Sequence, residues 1–195
     1  MWIISVALLL SSCGDARLQA LSEGDVIVAF GDSLTAGKGV TQDEAYPAVL
    51  GELTGYQVIN AGISGETTHE GLLRLESVLD EENPALLILF EGGNDILQNK
   101  NLSQTKANLN DMILIAKEKN IQVALVGVPQ KAIFSKSAKL YNELADLHKL
   151  PIENKIVASL LRKPAMKSDS VHFNSKGYRA LAQSVAQMLD EGGAF

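Results

Sequence analysis

The chain has 195 residues, of which 46% are apolar and 21% charged. That composition suits one globular domain with a full hydrophobic core and excludes a disordered or low-complexity chain. The net charge is −6, so no basic surface exists to neutralise phosphates, and a nucleic-acid partner is excluded.

Taken in chain order, Met1 to Leu10 is almost wholly apolar and Ser11-Ser12 lead to Cys13, the only cysteine. The run is too short to span a bilayer and has the length of a signal-peptide core. Leu10-Ser11-Ser12-Cys13 resembles the bacterial lipobox, in which the cysteine is lipidated, although residues 1–12 carry no Lys or Arg. Residues 1–24 are therefore read as a lipoprotein signal peptide followed by a tether from residue 14, and residues 25–195 as the folded domain. An ordinary signal, or a buried structural cysteine, is the alternative. A single cysteine allows no internal disulfide.

Val26–Phe30 reads as a strand stopped by Gly31, Ala45–Thr54 as a helix ended by Gly55, and Gln57–Asn60 as a second strand. Thr67–Glu82 repeats Leu72, Leu75 and Leu79 at helical spacing, with Leu73 beside them, and Asn83-Pro84 stops it. Ala85–Phe90 and Ile121–Val128 are continuous apolar runs, as expected of strands buried on both faces. Between them Leu102–Asn120 carries Leu109, Met112, Ile113 and Ala116 on one stripe. Ser137–Lys149 is helical with Leu140, Leu144 and Leu147 inward, Leu150–Ile152 is a short last strand, and Ser175–Asp190 is the final helix, with Asn174 or Ser175 as its N-cap. Alternating strands and helices predict a parallel sheet covered on both sides, with the site beyond the strand C-termini.

Three polar motifs fall at those ends: Gly31-Asp32-Ser33-Leu34, Asn60-Ala61-Gly62 and Gly92-Gly93-Asn94-Asp95. A fourth, Asp169-Ser170-Val171-His172, precedes the last helix. Together they supply the parts that ester hydrolysis needs. Ser33 is an exposed turn serine suited to nucleophilic attack. His172 is a base that titrates near neutrality, and Asp169, three residues earlier, can orient its ring. Gly62 lets a substrate approach a backbone N–H closely; the Asn94 amide and the Ser33 N–H add two further donors for an oxyanion. Each residue also has a plainer reading, as a turn serine, an exposed loop aspartate, a turn glycine or a turn cap. His148 reads as a surface or packing residue, and His69 lies near the Gly62 loop. Asp32 and Asp95 read as supports of the local loops. No metal and no cofactor are expected: the histidines are never paired at ligand spacing, and Gly31 to Gly39 lacks a phosphate-loop ending.

The four motifs resemble the blocks of the GDSL, or SGNH, hydrolases: Gly31-Asp32-Ser33-Leu34-Thr35-Ala36-Gly37, Asn60-Ala61-Gly62-Ile63-Ser64-Gly65-Glu66-Thr67-Thr68, Gly92-Gly93-Asn94-Asp95 and Asp169-Ser170-Val171-His172. The likeness extends over residues 25–189 and is nearest to the bacterial thioesterase, lysophospholipase and arylesterase subgroup. It implies a three-layer α/β/α, flavodoxin-like fold with a parallel sheet. It implies Ser33 as nucleophile, His172 as base, Asp169 as its orienter, and Ser33, Gly62 and Asn94 as the oxyanion hole. The implied activity is hydrolysis of acyl esters or thioesters through an acyl-enzyme, on a small-molecule or lipid-derived substrate. Ile96, Leu97, Ile133 and Phe134 are candidates for an acyl groove. A carbohydrate O-acetyl esterase is the runner-up, disfavoured by the scarcity of aromatics, and a non-catalytic ligand-binding lipoprotein is the alternative from another class. With Cys13 lipidated, the protein would sit in the bacterial cell envelope on the periplasmic side, membrane-anchored; without lipid it would be periplasmic or secreted.

Overall fold

The computed structural model describes residues 17–130 and 136–195. Five parallel strands form one sheet: β1 (Val26–Gly31), β2 (Gln57–Gly62), β3 (Leu86–Phe90), β4 (Gln122–Val126) and β5 (Ile152–Glu153), in the order β2-β1-β3-β4-β5. β1 and β3 are apolar along their whole length because helices cover both faces; every residue of β3 is buried. From β1 the chain steps outward to β2, whereas from β3 it steps the other way to β4. The reversal opens a crevice between the C-terminal ends of β1 and β3, the usual position of a ligand site in such a sheet.

Helices α1 (Ser33–Ala36), α2 (Tyr46–Thr54), α3 (Thr68–Glu82), α4 (Gly93–Leu97), α5 (Leu102–Glu118), α6 (Lys139–His148), α7 (Ile156–Leu161) and α8 (Ser175–Glu191) make up the rest, with single turns at 42–44 and 164–166. α2 packs with α8 and α3 with α5, while α6 lies against α5 and α7 against α8, giving the expected three layers. On α3, Leu75 and Leu79 are at most 2% exposed, and truncating either to alanine would cost about 2–5 kcal/mol. The same helix ends as its sequence demands: Asn83 takes a left-handed φ of 42° just before Pro84.

Four readings are adjusted. Short helices α1, α4 and α7 stand where no helix was expected. Leu73 and Leu147, placed with inward stripes, are 75% and 66% exposed. β4 stops at Val126 and β5 is displaced to Ile152–Glu153. The expected tether over residues 14–24 belongs to the folded domain from Leu18 onward. The Leu18 and Leu21 N–H groups donate to the Gly192 and Ala194 carbonyls at 2.7 and 2.8 Å, and Gln19 N–H donates to Gln122 Oε1 at 2.6 Å. Cys13, the signal segment, Ile133 and Phe134 lie outside the described residues. Among the described residues, no helix is long and apolar enough to cross a membrane.

Candidate active site

β1 ends at Gly31, and Asp32 begins the tight α1 turn, its Oδ1 accepting from Leu34 N–H at 3.0 Å. This carries Ser33 to the crevice, half-buried at the first position of α1. An N-terminal helical position leaves backbone N–H groups without intrahelical partners, and the Ser33 N–H has no acceptor among the described residues.

The loop before α8 brings the second half. An antiparallel bridge between Lys167 and Phe173 closes it, and Asn174 caps α8, accepting from Gly177 N–H at 3.1 Å. The Asn174 amide also donates to the Ala165 carbonyl at 2.9 Å, so one side chain fixes both ends of the loop. At its tip Asp169 Oδ1 accepts from the N–H groups of Val171 and His172 at 2.9 and 2.8 Å. Asp169 Oδ2 lies 2.7 Å from His172 Nδ1, and His172 Nε2 lies 2.9 Å from Ser33 Oγ. The three predicted residues are thus joined in one line. The backbone N–H of His172, then its ring and the Val171 N–H, hold the Asp169 carboxyl well below the usual carboxylate range, so it stays an anion that can orient an imidazole N–H.

Asn94 sits on α4, beyond β3. Its amide donates to the Glu66 carbonyl at 2.8 Å and reaches Asp32 Oδ2 at 3.3 Å. Asp95 next to it is buried and accepts from Thr68 N–H, Thr68 Oγ1 and Thr105 Oγ1 at 2.8, 2.6 and 3.1 Å, tying α3 and α5 to α4. Both aspartates therefore brace loops, as their positions suggested. Burial pushes the Asp32 carboxyl up to about 6, against the lowering effect of the Leu34 N–H.

Gly62 is used differently from expectation. Its N–H donates to Asn60 Oδ1 at 3.0 Å, and a Cβ there would stand 2.2 Å from the Ala36 nitrogen. A glycine there lets α1 pack directly on β2. Gly65, three residues on, has the properties sought. It lies in a turn closed by Glu66 N–H on the Ile63 carbonyl and has φ 90°, and a Cβ there would meet nothing within 4 Å. Its N–H has no acceptor among the described residues, and the Asn94–Glu66 bond sets this turn beside Asn94. The Ser64-Gly65 pair is a turn signal in its own right and was the cue available in the sequence.

The crevice continues as a groove of about 300 Å³ lined by Leu34, Ile96, Leu97, Val128, Pro129, Val157, Leu161 and Val171 around Ser33, Asn94 and His172. That is the size and character of a small-molecule site, apolar with a few convergent polar groups. His148 contacts Asn110 Oδ1 at 2.8 Å on the far side, and His69 is exposed. No trio of His, Cys, Asp or Glu among the described residues is arranged to hold a metal ion.

Residues 29–180 match the model of the GDSL-like lipase/acylhydrolase family. The chain belongs to that family. It is an ester hydrolase on an α/β/α fold. The hydrolase is 28% identical over 173 residues to thioesterase 1/protease 1/lysophospholipase L1 of Escherichia coli, covering 85% of this chain and 83% of that protein. It is 28% identical over 195 residues to an arylesterase of Vibrio mimicus, covering 94% and 96%. The crystal structure of TesA superposes with a TM-score of 0.78 at 26% identity, covering 86% of this chain and 99% of that one.

Proposed function

We propose that the hydrolase cleaves acyl esters and thioesters with Ser33 as nucleophile, His172 as general base and acid, and Asp169 as the orienter of His172. The single observation that carries this reading is the contact line Ser33 Oγ–His172 Nε2 (2.9 Å) and His172 Nδ1–Asp169 Oδ2 (2.7 Å) at the mouth of an apolar groove. His172 Nε2 takes the Ser33 proton as Oγ bonds to the acyl carbon. The proton then passes to the leaving alkoxide or thiolate as its bond to carbon breaks, and water repeats the sequence to free the acid. The oxyanion is assigned to the N–H groups of Ser33 and Gly65 and to the Asn94 amide, with Gly65 in place of Gly62.

The acyl chain is assigned to the groove between α4 and α7, with Ile96, Leu97, Val157 and Leu161 as its walls. An aliphatic lining favours a hydrocarbon acyl group over a sugar, which would call for aromatic stacking. The test is a p-nitrophenyl ester series from C2 to C16 on the purified protein and its Ser33→Ala variant. A Ser33-dependent optimum at medium chains is expected. An optimum at C2 would transfer the reading to acetyl esters, and equal turnover by Ser33→Ala would overturn it.

We also infer export and anchoring at the bacterial cell envelope, on the periplasmic side, through a lipidated Cys13. The support is the apolar run Met1 to Leu10 ahead of Leu10-Ser11-Ser12-Cys13. Intact mass of membrane-extracted protein is expected to show diacylglyceryl on Cys13; an unmodified cysteine in that fraction would refute it.

A further inference from the structure

Beneath the catalytic line lies a charge arrangement that hydrolysis by Ser33, His172 and Asp169 leaves unused. Glu91, the residue between β3 and Gly92, is fully buried. Its Oε2 accepts from Gly92 N–H at 3.0 Å, while its buried Oε1 has no hydrogen-bond donor. A carboxylate oxygen left that way is strongly disfavoured. The neighbouring polar side chain is the Glu66 carboxyl, which interacts with the Glu91 carboxyl. Glu66 is in turn gripped by Arg74, whose Nε meets Oε1 at 2.6 Å and whose Nη2 meets Oε2 at 2.5 Å. Arg74 also donates to the Ala61 carbonyl at 2.8 Å and lies 3.9 Å over the Phe30 ring.

Two carboxylates in contact are both acceptors and repel unless a proton lies between them. The guanidinium settles which one keeps its charge. Glu66 has a bidentate cation; Glu91 has none. We propose that Glu91 is a positioning residue held as the neutral acid, donating from Oε1 to Glu66 and so locking together the two loops that present Gly65 and Asn94 to the oxyanion. Glu91 reaches one loop through the Gly92 N–H and the other through Glu66, whose carbonyl accepts the Asn94 amide. This rests on the oxyanion assignment above. It differs from that assignment in concerning a side chain that touches no substrate.

The surroundings agree from every side. The charged and titratable groups facing Glu91 are Asp32 beyond β1, Glu66 before α3, and Tyr141 on α6, whose hydroxyl donates to the Glu91 carbonyl at 2.7 Å. Arg74 is the cation of the group, and it is engaged by Glu66. Burial, then the charge of Asp32 and the contact with Glu66, drive the Glu91 carboxyl well above its ordinary range. A carboxylic acid kept neutral so that it can donate a hydrogen bond is a known device of oxyanion sites.

The experiment pairs infrared spectroscopy with kinetics on the purified protein. At neutral pH the wild type should show a protonated-carboxyl C=O stretch that disappears in Glu91→Gln; identical spectra would overturn the proposal. Glutamine keeps a donor at nearly the same place, so Glu91→Gln should hold kcat within about threefold. Glu91→Leu should lose about tenfold in kcat, the worth of one modest hydrogen bond, with KM within about twofold. Full kcat in Glu91→Leu, or a loss in Glu91→Gln as deep as that in Glu91→Leu, would overturn it. The infrared readout needs no turnover, so a failed assignment of Ser33 and a failed assignment of Glu91 are told apart.

Discussion

The two halves of the Ser33–His172–Asp169 line are held in place by different physics. Ser33 is set by the core: β1 behind it is buried, Asp32 beside it is 4% exposed, and α1 presses on the backbone of β2. His172 and Asp169 are set by local hydrogen bonds in a surface loop; the Asp169 side chain is 50% exposed. Core packing tolerates little change and resists local opening, whereas a loop stapled by a few bonds can be altered without disturbing the fold. Damage on the histidine side should therefore read in rate alone, and damage on the serine side in rate and stability together.

The strongest test of that contrast is Asp169→Ala. Activity on a p-nitrophenyl ester should fall by about 10⁴-fold, as for the orienting member of other triads, with Tm shifted by no more than about 2 °C. A large fall in Tm would mean that the loop is part of the core after all. Asn94→Ala comes next, with a kcat loss of about 100- to 1,000-fold for one oxyanion donor and some loss of stability from the freed Glu66 carbonyl; an unchanged kcat would remove Asn94 from the oxyanion site.

Gly62→Ala, at the end of β2, and Gly65→Ala, in the turn after it, sharpen the contrast. The first drives a methyl into the α1 backbone and should cost about 3 kcal/mol of stability in urea unfolding. The second meets no neighbour and should cost only about 1–2 kcal/mol, for the left-handed backbone, while kcat falls. Equal effects on stability would undo the distinction drawn between these glycines.

The smallest effect concerns Asp32. Burial raises its carboxyl from 3.8 to about 6, so between those values the folded chain holds a proton that the unfolded chain releases. Stability from this group therefore falls as pH rises through that window. Asp32→Asn, neutral throughout, should lack the fall, and parallel Tm–pH curves for the two proteins would contradict it.

Much of this was readable in the sequence because strands and motifs leave strong marks. Leu86–Phe90 is an uninterrupted apolar run, Leu75 and Leu79 repeat at helical spacing, and Ser33, Asn94, Asp169 and His172 sit in motifs whose chemistry belongs together. The short helices escaped because four or five residues, as in Ser33–Ala36 and Gly93–Leu97, cannot display a 3.6-residue period. Gly62, at the end of a strand, looks like the edge of a site, and only the packing of α1 shows that this glycine serves a contact. Glu66 and Glu91 carry no sign of burial in one dimension; a glutamate reads as surface until its neighbours are known. Leu18 and Leu21 read as tether in the sequence because their hydrogen-bond partners, Gly192 and Ala194, lie at the other end of the chain.

That last attachment has a consequence for supply. The stitch at Leu18–Leu21 holds the leading end of the domain to the start of β4 and the end of α8, the edge of the sheet opposite Ser33. The mouth of the site lies at the other end of the strands, about one strand length of roughly 20 Å from the stitch. On the anchoring proposed for Cys13, the lipid and the mouth that admits the ester would lie at opposite ends of the sheet.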